Sequence, residues 1–360
     1  MATFFHAYLA KEKMVSTMMK KRGIAGVGIG FLNEKNRKQG ACLIVYTHGN
    51  LPSIMRLVPH AVGLQIAGSS ISVPVRAIHS GGFRSFASIQ TNRYKEKIRP
   101  VKAGYSVGRP DASGTAGLIV TNFPERNQLY VLSNNHVLNS DNSPSFTETL
   151  QPGGADGGRS RIDTIGRLDR FVALRKTGAN FVDGATSIPL RNSLLTPRYA
   201  TVGELPGHVS SYRIGDRMKK VGRTTGLVKG VVESIHTDIM VDYGDYGNLG
   251  TIRFRNQTVI KGTNRVSLPG DSGSVWLRER GNFAAAVNFA GTVDGRRSIA
   301  YPVEWFMQVF QTRVATAKGV GSVLRASNRN HYQVRPLTPA ELRTIQVRQV
   351  KKQTKKRPTK

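Results

Sequence analysis

Between about residues 104 and 302 the chain is a succession of short apolar runs, each ended by a glycine or a polar turn. Ser113-Gly114-Thr115-Ala116-Gly117-Leu118-Ile119-Val120 is a turn leading into one such run, and Leu129 to Ser133, Phe181 to Ile188, Leu227 to Ile235, Ile239 to Tyr243 and Phe283 to Phe289 are others. Runs this short, punctuated this regularly, suit strands rather than helices. The pattern predicts an all-β sandwich or barrel. The 38 glycines and the 39% apolar content fit a turn-rich β protein with a substantial core.

One run holds a serine where backbone can receive negative charge. In Leu268-Pro269-Gly270-Asp271-Ser272-Gly273-Ser274 the glycines permit positive-φ geometry, which lets the Gly270 and Ser272 N–H groups point at one spot. A serine nucleophile also needs a base and a group to orient that base. His136 follows an apolar run in Ser133-Asn134-Asn135-His136-Val137-Leu138. Asp183 sits among apolar and small neighbours in Phe181-Val182-Asp183-Gly184-Ala185. Asp163 and Asp169 also lie between His136 and Ser272, so order alone leaves three candidate acids, and the small-residue context Gly184-Ala185 favours Asp183. His79, His208 and His236 lack comparable surroundings.

These three runs, ordered His, Asp, Ser, resemble the trypsin/chymotrypsin-like serine proteases, particularly their bacterial branch. Val221-Gly222-Arg223-Thr224-Thr225-Gly226 is similar to a Gly-x-Thr-Thr-Gly strand and turn of bacterial members. The strong part of the resemblance covers about residues 100 to 310. A weaker likeness reaches back to about residue 23, as in bacterial trypsin-like proteins that place a small Gly-rich segment before the protease domain. It implies a double antiparallel β-barrel of chymotrypsin type, the barrels at about 100–200 and 201–310, with the site in the cleft between them. It also implies a Ser272 nucleophile, His136 base, Asp183 orienting acid and an oxyanion hole at Gly270 and Ser272. Val266 is implied at the bottom of the primary pocket, with Asn288, Phe289, Ala290 and Gly291 as its wall and Phe289 narrowing the channel. No acid is offered there to Lys or Arg, so the expected preference is for a small or medium apolar side chain. The reading needs no cofactor and no metal.

The flanks are less legible. Residues 1–22 mix aromatics, methionines and basic residues and predict an amphipathic helix with Met14, Met18 and Met19 along one face. Residues 23–99 predict a small α/β or β subdomain followed by a basic connector. Within it Gly23 to Gly30 lacks the spacing and flanking helix of a dinucleotide loop, and instead reads as a strand paired with Ala41 to Tyr46. Residues 139 to 161 read as a long surface loop. The single Cys42 excludes an internal disulfide.

Residues 311–360 form a basic extension with a helix start at Thr338-Pro339-Ala340-Glu341, and their last part is expected to be disordered. With 53 Lys and Arg against 22 acids, the formal charge is +31. Such an excess favours polyanions such as nucleic acid. Lys351, Lys352, Lys355, Lys356 and Arg357 are the candidate contacts. No signal peptide and no membrane-spanning run is evident, so a cytoplasmic or virion-associated bacterial or phage protein is expected. Two functions follow: a serine endopeptidase, with nucleic-acid-associated or virion proteins as candidate substrates, or a catalytically silent protease-fold protein that binds nucleic acid or another polyanion.

Overall fold

The computed structural model describes residues 1–49, 52–84, 93–326 and 332–350. Their strands form two large sheets and two short pairs. The larger sheet runs Arg217–Gly222, Val275–Arg278, Ala284–Thr292, Arg297–Pro302, Thr251–Lys261 and Gly226–Asp242 before continuing into the N-terminal strands. Gly226–Asp242 also pairs back onto Arg217–Gly222, from Arg217 opposite Val231 to Gly222 opposite Gly226, so these six strands close into a ring. The smaller sheet runs Glu148–Leu150, Thr164–Val172, Ala185–Pro189, Leu129–Ser133, Leu118–Asn122, Thr312–Thr316 and Gly319–Val320. Its pairings among the described residues form an open path. The architecture is thus mostly β, as the sequence pattern predicts, with one closed ring where the resemblance implies two barrels.

Residues 23–79 do not build a sheet of their own. Ile24–Phe31 lies antiparallel between Ala41–Thr47 and the long strand Gly226–Asp242, with Gly26 opposite Ile239 and Ile29 opposite Ile235. Its alternating glycines explain that placement. A Cβ on Gly28 would stand 2.3 Å from Thr237 Oγ1, and one on Gly30 would stand 2.4 Å from Ile44 Cδ1. The glycine face is flat because neighbouring side chains press against it.

The N-terminal helix, Phe4–Met18, is capped by Thr3, whose hydroxyl accepts from the His6 N–H. Ala7, Ala10, Val15 and Met18 recur at helical spacing and are buried against the N-terminal strands. Met14 is only half-buried, and Met19 lies past the end, so the expected methionine face is mainly an alanine and valine face. Lys11 shares that face and is fully buried. Its Nζ reaches Asp238 Oδ1 at 2.7 Å and Asn256 Oδ1 at 3.3 Å. Arg253 closes on the other oxygen of Asp238 at 2.6 Å. The helix is therefore bolted to the long hairpin Gly226–Asp242/Thr251–Lys261 by charge as well as by apolar contact.

The C-terminal part is woven through both sheets. The apolar helix Val303–Phe310 ends at Gln311 in a left-handed conformation, φ +51°. Thr312–Thr316 then pairs with Leu118–Asn122, and Ser322–Leu324 with Gly207–Val209. The expected helix start is present as Pro339–Thr344 with a Thr338/Glu341 capping box, and Val347–Gln349 adds to Thr164–Val172. One apolar cluster joins Leu118 and Leu132 of the smaller sheet to Phe254, Phe289, Tyr301 and Phe306. It lies between the two halves and fixes them relative to each other.

Removing one partner of the Lys11–Asp238 pair leaves a charge stranded away from water. Asp238→Ala is expected to lower the unfolding free energy by about 3–5 kcal/mol. Lys11→Met, which keeps the stem and removes the charge, is expected to cost less, because Arg253 still answers Asp238. Urea titration of both variants measures the difference.

Candidate active site

The short helix Asn135–Leu138 begins where the strand Leu129–Ser133 ends. It turns His136 toward Asp183, which lies just ahead of the neighbouring strand Ala185–Pro189. His136 Nδ1 stands 2.5 Å from Asp183 Oδ2. Asp183 Oδ1 accepts the Asn135 N–H at 2.7 Å and the His136 N–H at 3.4 Å. Asp183 is wholly buried. A carboxylate can only accept, so the network assigns the imidazole proton to Nδ1 and leaves the lone pair on Nε2.

The other two acids are engaged elsewhere. Asp163 pairs with Lys97 at 2.6 Å, and Asp169 with Arg170 at 3.3 Å. Burial of one carboxylate beside the imidazole thus selects Asp183 among the three.

Sequence reading missed a fourth participant. The Tyr243 hydroxyl donates to Asp183 Oδ2 at 2.7 Å, and the Tyr301 hydroxyl donates to the Asp183 carbonyl at 3.0 Å. Burial, followed by the Asp183 charge, pushes the Tyr243 hydroxyl well above the usual phenol range, so it remains a donor. Arg109 was also missed; its Nη1 donates to the carbonyls of His136 at 2.7 Å and Asn139 at 3.1 Å. The repeated Tyr-Gly of Tyr243-Gly244-Asp245-Tyr246-Gly247, directly after a strand, was the available signal for the first.

The serine loop is held from beneath by Asp271. Asp271 Oδ1 accepts the N–H groups of Thr224 and Thr225, each at 3.0 Å, and Oδ2 accepts the Leu268 N–H at 2.9 Å. Lys220 Nζ lies 3.5 Å from Oδ2, and both side chains are fully buried. Burial pulls the Lys220 ammonium below its usual range, against the opposing pull of Asp271. Asp271 thus secures its loop through a specific partner, the Thr-Thr turn. Gly222 is required there, because a Cβ would come within 2.2 Å of Asp271 Oδ1.

Gly270 and Gly273 adopt φ of +93° and +90°. A Cβ on Gly270 would meet Arg223 Nη1 at 2.1 Å, so packing forbids a side chain as firmly as the backbone angle does. Arg223 is buried and gripped by both carboxylate oxygens of Asp156. Residues 139 to 161, expected to be surface loop, therefore reach under the serine loop. Among the described residues neither the Gly270 N–H nor the Ser272 N–H has an acceptor.

The two halves meet closely at Ser272. Its carbonyl accepts the Thr115 N–H at 2.8 Å, and a Cβ on Gly114 would lie 2.5 Å from Val137 and 2.9 Å from the Ser272 carbonyl. The Ser272 hydroxyl itself donates to the Phe289 carbonyl at 3.4 Å, and His136 Nε2 is buried with no hydrogen-bond partner among the described residues. The structure brings histidine and acid together and sets the serine loop against Gly114, on which Val137 also packs, with the serine hydroxyl hydrogen-bonded to the Phe289 carbonyl.

The expected pocket residues are placed differently. Val266 is 1% exposed, in the apolar cluster with Trp276, Ala285 and Ala286. Phe289 does not narrow a channel, because its ring is fully buried against Phe254, centroids 4.7 Å apart, and Tyr301. Asn288 is spent internally; its Oδ1 accepts from Ser267 and Ser298, and its Nδ2 donates to the Asp271 carbonyl. Residues 289–291 present mainly backbone. Lys351, Lys352, Lys355, Lys356 and Arg357 lie outside the described residues. Among the described residues no cluster of His, Cys, Asp and Glu could hold a metal ion, and no helix is long and apolar enough to cross a membrane.

No family model matches the chain, and no curated protein sequence does. Among solved structures it is similar to a glutamic-acid-specific serine protease described as using a histidine triad in substrate binding, at 18% identity and TM-score 0.42, over 59% of this chain and 100% of that one. It is also similar to a Nocardiopsis protease and to Thermobifida fusca protease A, each at 20% identity and TM-score 0.42, over 60% of this chain and 99% of the other. The likeness to serine proteases is distant. At these scores it decides neither activity nor substrate, and the geometry stands by itself.

Asp271→Ala removes the acceptor of three N–H groups and the partner of a buried lysine. The expected loss is about 3–5 kcal/mol of unfolding free energy, read from urea midpoints. Asp271→Asn preserves the shape and one acceptor, and is expected to lose less.

Proposed function

We propose that the chain is a serine endopeptidase. The observation that supports this most directly is the buried 2.5 Å contact of His136 Nδ1 with Asp183, together with a serine loop whose Gly270 and Ser272 N–H groups have no acceptor among the described residues. On this reading Ser272 Oγ rotates from the Phe289 carbonyl to His136 Nε2 as a substrate enters. The oxygen attacks a peptide carbonyl while His136 takes its proton. The oxyanion is received by the Gly270 and Ser272 N–H groups. Collapse transfers the proton from His136 to the leaving amine and leaves an acyl group on Ser272, which water activated by the same histidine removes. Asp183, positioned by Tyr243, keeps the imidazole in the useful tautomer. Acid and base on one half and nucleophile on the other support this reading.

Labelling by a small fluorophosphonate, located by mass spectrometry, tests the assignment. One adduct is expected, on Ser272, and none in Ser272→Ala. Asp183→Asn is expected to slow peptide hydrolysis by about 10⁴-fold, as loss of the orienting carboxylate does elsewhere. An adduct that persists in Ser272→Ala, or a folded protein that takes no label, would refute the reading.

The net charge of +31 supports a second reading, compatible with the first: a protein that holds a polyanion, with or without catalysis. Binding of duplex DNA by Ser272→Ala is expected to match the unaltered protein and to weaken steeply with salt. Removing residues 348–360 is expected to reduce that salt slope, whereas an unchanged slope would take the tail out of the account.

A further inference from the structure

The strand Ala284–Thr292 has two edges with different fates. One is paired with Arg297–Pro302 as far as Gly291 opposite Ser298. The other is covered by Val275–Arg278 only up to Val287, after which Gly273 and Ser274 exchange bonds with Asn288 at 2.9 and 2.8 Å. Past Asn288 this edge diverges from its own sheet neighbour, and the first carbonyl beyond is that of Phe289, the one that Ser272 Oγ touches. A free strand edge starting at a nucleophile is where an extended peptide would add, by main-chain pairing.

That edge is taken. Phe83 and Arg84 pair antiparallel with Thr292 and Gly291. From Phe83 to Arg84 the chain advances along the edge toward the serine, in the direction an antiparallel substrate strand would run. The segment is held on its other side as well, with Arg84 opposite Asp242 on the strand that leads to Tyr243. Arg84 Nε lies 3.7 Å from Asp242 Oδ2, while Phe83 is 2% exposed and meets the Tyr46 ring edge-on at 5.8 Å. Ser272 is 5% exposed, and His136 Nε2 is buried without a hydrogen-bond partner among the described residues.

We infer that the strand Phe83–Arg84 occupies the place of a substrate strand, so that the chain is the competitive inhibitor of its own site. The consequence for hydrolysis rests on the serine-endopeptidase reading; the occupancy itself does not. A tethered segment competes at an effective concentration in the millimolar range, which a peptide from outside must overcome. Relief requires that Phe83 and Arg84 leave the edge, and the buried Phe83 ring sets how readily they do.

The test uses the full chain. Arg84→Pro removes a strand N–H at a position whose side chain is 58% exposed. In a Ser272→Ala background, a fluorescein-labelled peptide of the sequence of residues 80–88 is titrated by anisotropy, and amide exchange of residues 289–292 is followed. Arg84→Pro is expected to tighten peptide binding at least about tenfold and to speed that exchange in the absence of peptide. Arg84→Gly, which retains the N–H and loses the ion pair, is expected to act in the same direction by a smaller factor and covers the case in which the proline variant does not fold. Equal affinity and equal exchange in a folded variant would overturn the inference. With Ser272 intact, Arg84→Pro is expected to raise kcat/KM for an extended peptide anilide about tenfold, chiefly through KM, and to change fluorophosphonate labelling by less than about twofold. Absence of label in every folded protein would instead remove the endopeptidase reading, and the anisotropy and exchange results would still decide whether the strand holds the edge.

Discussion

The buried carboxylate of Asp271 is the constraint on which the site depends. It gathers the N–H groups of Leu268, Thr224 and Thr225 and stands beside the buried Lys220. Each is a polar group that burial would penalise if left alone, and together they tie the serine loop to the turn between two strands of the closed ring. The loop can then hold two glycines at positive φ without wandering, and Ser272 is presented on a rigid support. Arg223, clamped by Asp156, fills the space beneath Gly270 and prevents that loop from sinking.

A second consequence is a division of labour between the sheets. His136 and Asp183 are delivered by adjacent strands of the smaller sheet, so their separation is set by one antiparallel pairing, Ser133 opposite Ala185. Ser272 comes from the larger sheet and is registered to the first by the Thr115 N–H and hydroxyl, which bond to the carbonyls of Ser272 and Gly270. Tyr243 crosses between them, carried on the larger sheet yet hydrogen-bonded to the acid of the smaller. Apolar packing holds the halves together, but these few polar contacts fix their register.

The β content and the three runs around His136, Asp183 and Ser272 are legible in the sequence because each is local: a strand end, a small-residue turn, a glycine loop. Among Asp163, Asp169 and Asp183 the small neighbours Gly184 and Ala185 favour Asp183, whereas order along the chain does not say which groups meet in space. Tyr243 and Asp156 escaped for the same reason, their partners lying 60 and 67 residues away. Phe289 was misplaced because a strand position does not reveal on which side of the sheet its side chain falls once a bulge intervenes, as one does between Asn288 and Ala290. The alternate glycines of Ile24–Phe31 were readable as strand, but that they press on Thr237 and Ile44 was not.

The pairing of Thr312–Thr316 with Leu118–Asn122 bears on the order in which the protein can be made. The strand that continues toward His136 has its outer neighbour supplied from nearly two hundred residues downstream, as the register of Val314 opposite Val120 shows. Until that late segment has left the ribosome, the smaller sheet presents an unpaired edge, and its half of the interface has no settled boundary. Long-range closure of this kind is slow. A nascent chain would thus carry His136, Asp183 and Ser272 well before the sheets that position them are complete, which separates the synthesis of these residues from their placement in time.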